Sequence, residues 1–125
     1  MANQFGRPDT EEDRRTAPRV ELSATAVVLA RHNDGVPFVI ESLSTSGARL
    51  VGPLTLDRGE RVAVLFEAGG HPIDVRGEVV RVERQTISQD RVAIRFVDLE
   101  GESLEAIRRL VSEILDAQDA EEELT

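Results

Sequence analysis

Three arginines, Arg14, Arg15 and Arg19, crowd into the stretch DRRTAPRVEL just ahead of the first apolar run. Arg15 and Arg19 stand in an RxxxR spacing. A guanidinium is a planar fork of donors. It can pair a phosphate through two bonds, read the O6/N7 edge of a guanine, or stack on a base. Pro18 bars a regular helix here and pushes Ala17 toward extended backbone. Three such groups on a stiffened segment suit an anionic, planar ligand. The alternative is that they sit in solvent beside Glu11, Glu12 and Asp13, where ion pairs contribute little.

A second stretch offers complementary chemistry. SLSTSG, residues 42–47, sets Ser42, Ser44 and Gly47 between two apolar runs. Short hydroxyls both donate and accept, and a glycine permits positive φ and close approach of a ligand. An ordinary serine turn between strands is the competing reading.

Other chemistry is poorly represented. His32 and His71 both fall in predicted turns and read as solvated surface residues, and no cysteine occurs. Thiolate metal sites, cysteine nucleophiles and disulfides are therefore excluded. No histidine pair with metal spacing, GxSxG elbow, P-loop or GxGxxG is present, which leaves no motif for a metal, a nucleophile or a cofactor. Carboxylates gather toward the two ends, as solvated tails do. The expectation is a protein without catalysis, metal or cofactor. The net charge of −9 opposes binding to nucleic acid or to an anionic membrane, both of which need a positive field. Four Phe with no Tyr or Trp are too few for a stacking platform on single strands. All the positive charge is arginine, since the chain has no lysine. A general arginine bias would account for that equally well. The opening residues lack an apolar signal region and no run is long enough to span a membrane, so a soluble cytoplasmic protein is expected.

The elements that must hold the two stretches follow from periodicity. Val20, Leu22, Ala24, Ala26, Val28 and Ala30 alternate as a half-buried strand. HNDG, 32–35, signals a turn. VPFVIES, 36–42, and GARLV, 47–51, are two further strands on either side of the serines. Residues 60–68, alternating through Val62, Val64 and Phe66, 73–84, alternating through Ile73, Val75, Gly77, Val79 and Arg81, and 91–99, with Val92, Ile94 and Phe96 on one face, complete six; GGHP, 69–72, closes a hairpin and Gly77 suggests a bulge or bend. Leu104, Ile107, Leu110, Val111, Ile114 and Leu115 then recur at helical spacing. Ser103 is placed to cap that helix. Six short strands and one helix predict a mainly β fold, an antiparallel barrel or sandwich with a C-terminal α-helix. Residues 1–13 and 118–125 are expected to be disordered tails, leaving 14–117 as one domain.

Taken together and in this order, the two stretches resemble the PilZ domain family. That family carries RxxxR just before its first barrel strand and D/N-x-S-x-x-G between its second and third. GEVVRV, 77–82, and RVAIRF, 91–96, also look like its late strands. The resemblance implies a six-stranded antiparallel β-barrel with a C-terminal α-helix that binds cyclic di-GMP. Arg14, Arg15 and Arg19 would grip guanines and phosphates, and Ser42, Ser44 and Gly47 would form the second wall. It also implies a switch that acts on a protein partner, with motility or surface behaviour as the family-level expectation. Ser42 departs from the pattern, where a carboxylate or amide is expected, and Ala93 stands where many members have Gly. The Ser42 departure keeps a second reading open, an adapter that acts through protein–protein interaction with weak or no nucleotide binding. Two nucleotides could pair two molecules or occupy one, so a monomer and a ligand-dependent dimer are both compatible.

Overall fold

The computed structural model describes residues 18–31 and 34–124. Each alternating segment is a strand: β1 (Val20–Leu29), β2 (Val36–Leu43), β3 (Gly47–Gly52), β4 (Arg61–Ala68), β5 (His71–Thr86) and β6 (Gln89–Val97). One apolar face per strand must leave water. The strands satisfy this by closing into an antiparallel barrel in the order β1-β2-β3-β6-β5-β4. Closure also removes the open sheet edges that a flat arrangement would leave. Val28, Phe38, Ile40, Leu50, Val64, Val79, Val92 and Ile94 fill the interior. The core is mostly aliphatic, with Phe38, Phe66 and Phe96 as its buried aromatics.

The hairpin turn between β4 and β5 is tighter than GGHP suggests. Gly69 and Gly70 alone form it, with φ of +59° and +82°, and Ala68 pairs directly with His71. Positive φ at both central residues is the twist-matched hairpin turn, and glycine adopts it without steric cost. His71 therefore opens β5 rather than lying in the turn, and it is exposed. His32 and Asn33 of the HNDG turn lie outside the described residues; Gly35 has φ +120°.

Gly77 is not the bulge. It pairs in register with Val62 and Phe96, and the irregularity falls between Val79 and Arg81. Gly77 instead allows close approach, since an added Cβ would lie 3.1 Å from the Arg95 carbonyl oxygen. The bulge at Val80 explains why Arg81 points to solvent although the alternation placed it on the inner face. Beyond it, β5 and β6 run on as a hairpin to Thr86 and Gln89, longer at this end than the spacing predicted.

The helix α1 spans Gly101–Leu124. Ile107 and Val111 are fully buried, with Ala106, Leu110, Ile114 and Leu115 half-buried around them. Burying the two central side chains contributes about 1.5–3 kcal/mol each, enough to hold the helix against β5, β1 and β4. That side of the ring is the one away from β3. Ser103 does not cap the helix. It lies inside the first turn and its hydroxyl donates to the Asp74 carbonyl on β5 at 3.3 Å. The chain enters the helix through left-handed backbone at Asp98 and Gly101. The helical backbone continues to Leu124, past residue 117, where the sequence suggested disorder. The run AQDAEEEL contains good helix formers and neither Gly nor Pro to stop it. Among the described residues no helix is long and apolar enough to cross a membrane.

Candidate functional site

Arg19 is the one residue of the RxxxR pair within the described residues; Arg14 and Arg15 lie outside them. Arg19 is exposed and stands immediately before β1, at the lip of a cleft of about 530 Å³ on the outer face of the barrel. Ser42 lies in the same cleft. The two sequence stretches therefore meet in space through Arg19 and Ser42. The volume falls within the range of small-molecule sites.

Why they meet is a matter of register. β1 and β2 run antiparallel with Val20 opposite Leu43 and Glu21 opposite Ser42. The end of β2 is thus bound to lie beside the start of β1, where Arg19 enters. On its other edge Ser42 opposes Arg49 of β3. β3 in turn pairs with β6, which sets Arg91 opposite Val51 and Ala93 opposite Arg49. Three strands distant in sequence so deliver Arg19, Arg49 and Arg91 to one cleft, with Glu21 and Glu41 as its carboxylates. Three guanidiniums against two carboxylates make this a locally positive spot on a chain of net charge −9.

Arg91 is held in place. Its Nε donates to Glu41 Oε1 at 2.8 Å across β3, and its Nη1 lies 3.7 Å from Glu83 Oε1. Among the described residues no ion pair engages Arg49 or Arg19. Both also border a second, adjoining cleft of about 260 Å³, formed with Ser46, Gly47, Ala93 and Arg95. Arg19 and Arg49 thus form the ridge between two hollows, where guanidinium planes could stack or donate to either side.

Ser44 and Gly47 do different work from Ser42. Ser44 is 1% exposed and lines neither cleft. Its amide donates to the Gly47 carbonyl at 2.9 Å, and its Oγ accepts from the Ser46 amide at 3.1 Å and lies 2.9 Å from Ser46 Oγ. It ties the turn that carries the site. Gly47 does not have the positive φ that the sequence allowed for. It pairs with Arg95, and an added Cβ would sit 2.2 Å from the Ile94 carbonyl oxygen. The close approach it permits is that of β6, and only its outer side borders the smaller cleft.

Arg49, Arg91, Glu21 and Glu41 were not foreseen as site residues. Each occupies an outward position on its strand, which periodicity can show. Which strands become neighbours is a property of barrel closure, and periodicity carries no trace of it.

This is a small closed β-barrel with an arginine-lined outer cleft, and sequence and fold agree on its kind. The PilZ domain model matches residues 13–113, and the chain belongs to the PilZ domain family. Its fold is that of solved PilZ structures. The PilZ domain with c-di-GMP of YcgR from Escherichia coli superposes with a TM-score of 0.72 at 15% identity, covering 90% of this chain and 99% of that one. The PilZ domain of CeSA from a cellulose-synthesizing bacterium gives 0.60 at 17% identity, with 78% and 97% covered. The Bacillus subtilis inhibitor of motility, MotI/DgrA, gives 0.65 at 14% identity, covering 84% of this chain and 51% of that one. The present chain thus spans about half the length of that protein. None of the curated proteins matches the chain in sequence.

Proposed function

We propose that this protein is a non-enzymatic receptor for cyclic di-GMP, working in the cytoplasm through residues 14–117 as one PilZ domain. The observation that carries the reading is the convergence of Arg19, Arg49, Arg91 and Ser42 on a cleft of about 530 Å³. Arginine forks suit both the phosphates and the guanine O6/N7 edges of such a ligand. Arg14 and Arg15 would join them from the segment leading into β1, closing it over the cleft. That closure changes the surface beside β1, and a protein partner reads the change. The likeness in fold to the PilZ domain of YcgR with c-di-GMP and to an inhibitor of motility supports a partner in motility or surface behaviour. Two nucleotides on a monomer or a nucleotide-bridged dimer would serve equally.

A second reading, an adapter that acts by protein contact with weak or no nucleotide binding, is favoured by Ser42. It offers one neutral hydroxyl where the family motif has a carboxylate or amide. Titration calorimetry with cyclic di-GMP separates the two. Micromolar or tighter binding that weakens at least tenfold in Arg19→Ala, and likewise in Arg15→Ala, supports the receptor. No heat at high ligand concentration sinks it in favour of the adapter.

A further inference from the structure

A guanine presents two adjacent donors, N1–H and the N2 amino group, and a protein that selects guanine must offer an acceptor to that pair. A carboxylate meets both; a serine hydroxyl meets one. Ser42 is 5% exposed and short. The cleft nevertheless contains two carboxylates, Glu21 and Glu41, and the pairing of each decides between them.

β2 shifts register between Ile40 and Ser42, so that Glu41 and Ser42 together oppose the single residue Arg49. In an unbroken strand neighbours point to opposite faces, and Glu41 would oppose Ser42. Phe38 and Ile40 face the interior, so alternation already turns Glu41 outward, and the bulge turns Ser42 outward beside it. Ile40 and Leu43 are buried inside the barrel, while Glu41 and Ser42 both line the outer cleft. Glu41 is also oriented. Arg91 binds its Oε1 at 2.8 Å, and Glu83 stands behind Arg91 at 3.7 Å. Among the described residues no hydrogen bond reaches Glu41 Oε2, and the side chain is 36% exposed. Among the described residues Glu21 has no such brace.

Resting on the reading of the cleft as a cyclic di-GMP site, we infer that Glu41 supplies the carboxylate that reads the N1–H/N2–H edge of a guanine, in place of position 42. Arg91 is its positioning residue. The acceptor then stands one residue before the motif position. Glu41 then also sets base selectivity. Adenine turns an N1 lone pair toward that carboxylate where guanine turns a proton, so cyclic di-AMP is disfavoured.

The test is calorimetric titration of the full chain with cyclic di-GMP and cyclic di-AMP. Glu41→Gln keeps the shape and removes one acceptor and the charge. It should weaken cyclic di-GMP binding about tenfold or more, the usual cost of a charge-assisted bond. It should also narrow the preference over cyclic di-AMP. Glu21→Gln should change binding less than about threefold. On the motif alone, Ser42→Asp should tighten binding. Here it places a second carboxylate beside Glu41 and gives no gain, whereas in the Glu41→Gln background it restores affinity. That rescue separates an acceptor role from a mere disturbance of Arg91. Unchanged binding in Glu41→Gln, or a loss that appears in Glu21→Gln instead, overturns the inference and leaves the receptor reading standing. A wild-type chain that binds neither nucleotide overturns both.

Discussion

The β2–β3 and β5–β6 turns are opposites. SLSTSG, between β2 and β3, is the more polar, yet Ser42 and Ser44 are buried and Gly47 is pressed against β6. The Ile87–Ser88 turn, between β5 and β6, carries a large aliphatic side chain, yet Ile87 is 94% exposed. The serine turn is held by four contacts within itself and by the Phe96 amide donating to the Ser46 carbonyl at 2.9 Å. The β5–β6 turn has one weak bond, from the Ser88 amide to Thr86 Oγ1 at 3.3 Å, and is anchored further back where Arg84 meets the buried Asp90 at 3.1 Å. Hydropathy alone would have reversed the two. A polar turn can be interior when its polar atoms satisfy one another, and that rigidity suits the turn that borders a candidate site.

Substitutions can break this contrast or sharpen it. The largest effect is expected at Gly47. Gly47→Ala drives a Cβ into the Ile94 carbonyl, which is backbone and cannot rotate away, so β3 and β6 must part. A loss of about 3 kcal/mol is expected, read as a fall in urea midpoint, and an unchanged midpoint would refute the close contact. Ser44→Ala comes next. It removes a buried hydroxyl that accepts from the Ser46 amide, at a cost of about 1–2 kcal/mol. The same denaturation series would show it, and a neutral result would mean that the hydroxyl is dispensable. Ile87→Ser should be smallest, within about 0.5 kcal/mol. A drop comparable to that of Ser44→Ala would show that the tip is buried against something in solution.

Much of the fold was legible. The inner faces of β4 and β6, Val62, Val64, Phe66 and Val92, Ile94, Phe96, alternate without interruption and were found buried as expected. The helical spacing around Ile107 and Val111 likewise named the face that meets the barrel. Legibility failed where the backbone breaks period. The bulge at Val80 returned Arg81 to solvent, and the bulge before Ser42 turned Ser42 outward into the cleft beside Glu41. A bulge is one residue inserted into the pairing of two strands, so it is a relation between strands and leaves little mark on either one. Capping failed for a similar reason, since Ser103 found a partner on β5 rather than on its own helix.

By itself the sequence determined the number and kind of elements, the aliphatic core, and the two stretches, RRTAPR and SLSTSG, that bracket the start of the barrel. Those are local properties, written in side-chain period, proline and glycine placement, and residue type. The tertiary structure decided which residues share the cleft. Arg49, Arg91 and Glu41 come from β3, β6 and a bulge in β2, and they meet only because antiparallel closure sets β3 beside both β2 and β6. Closure is driven by burying all six apolar faces at once. The grouping on the outer face is therefore a consequence of how the inner faces satisfy one another.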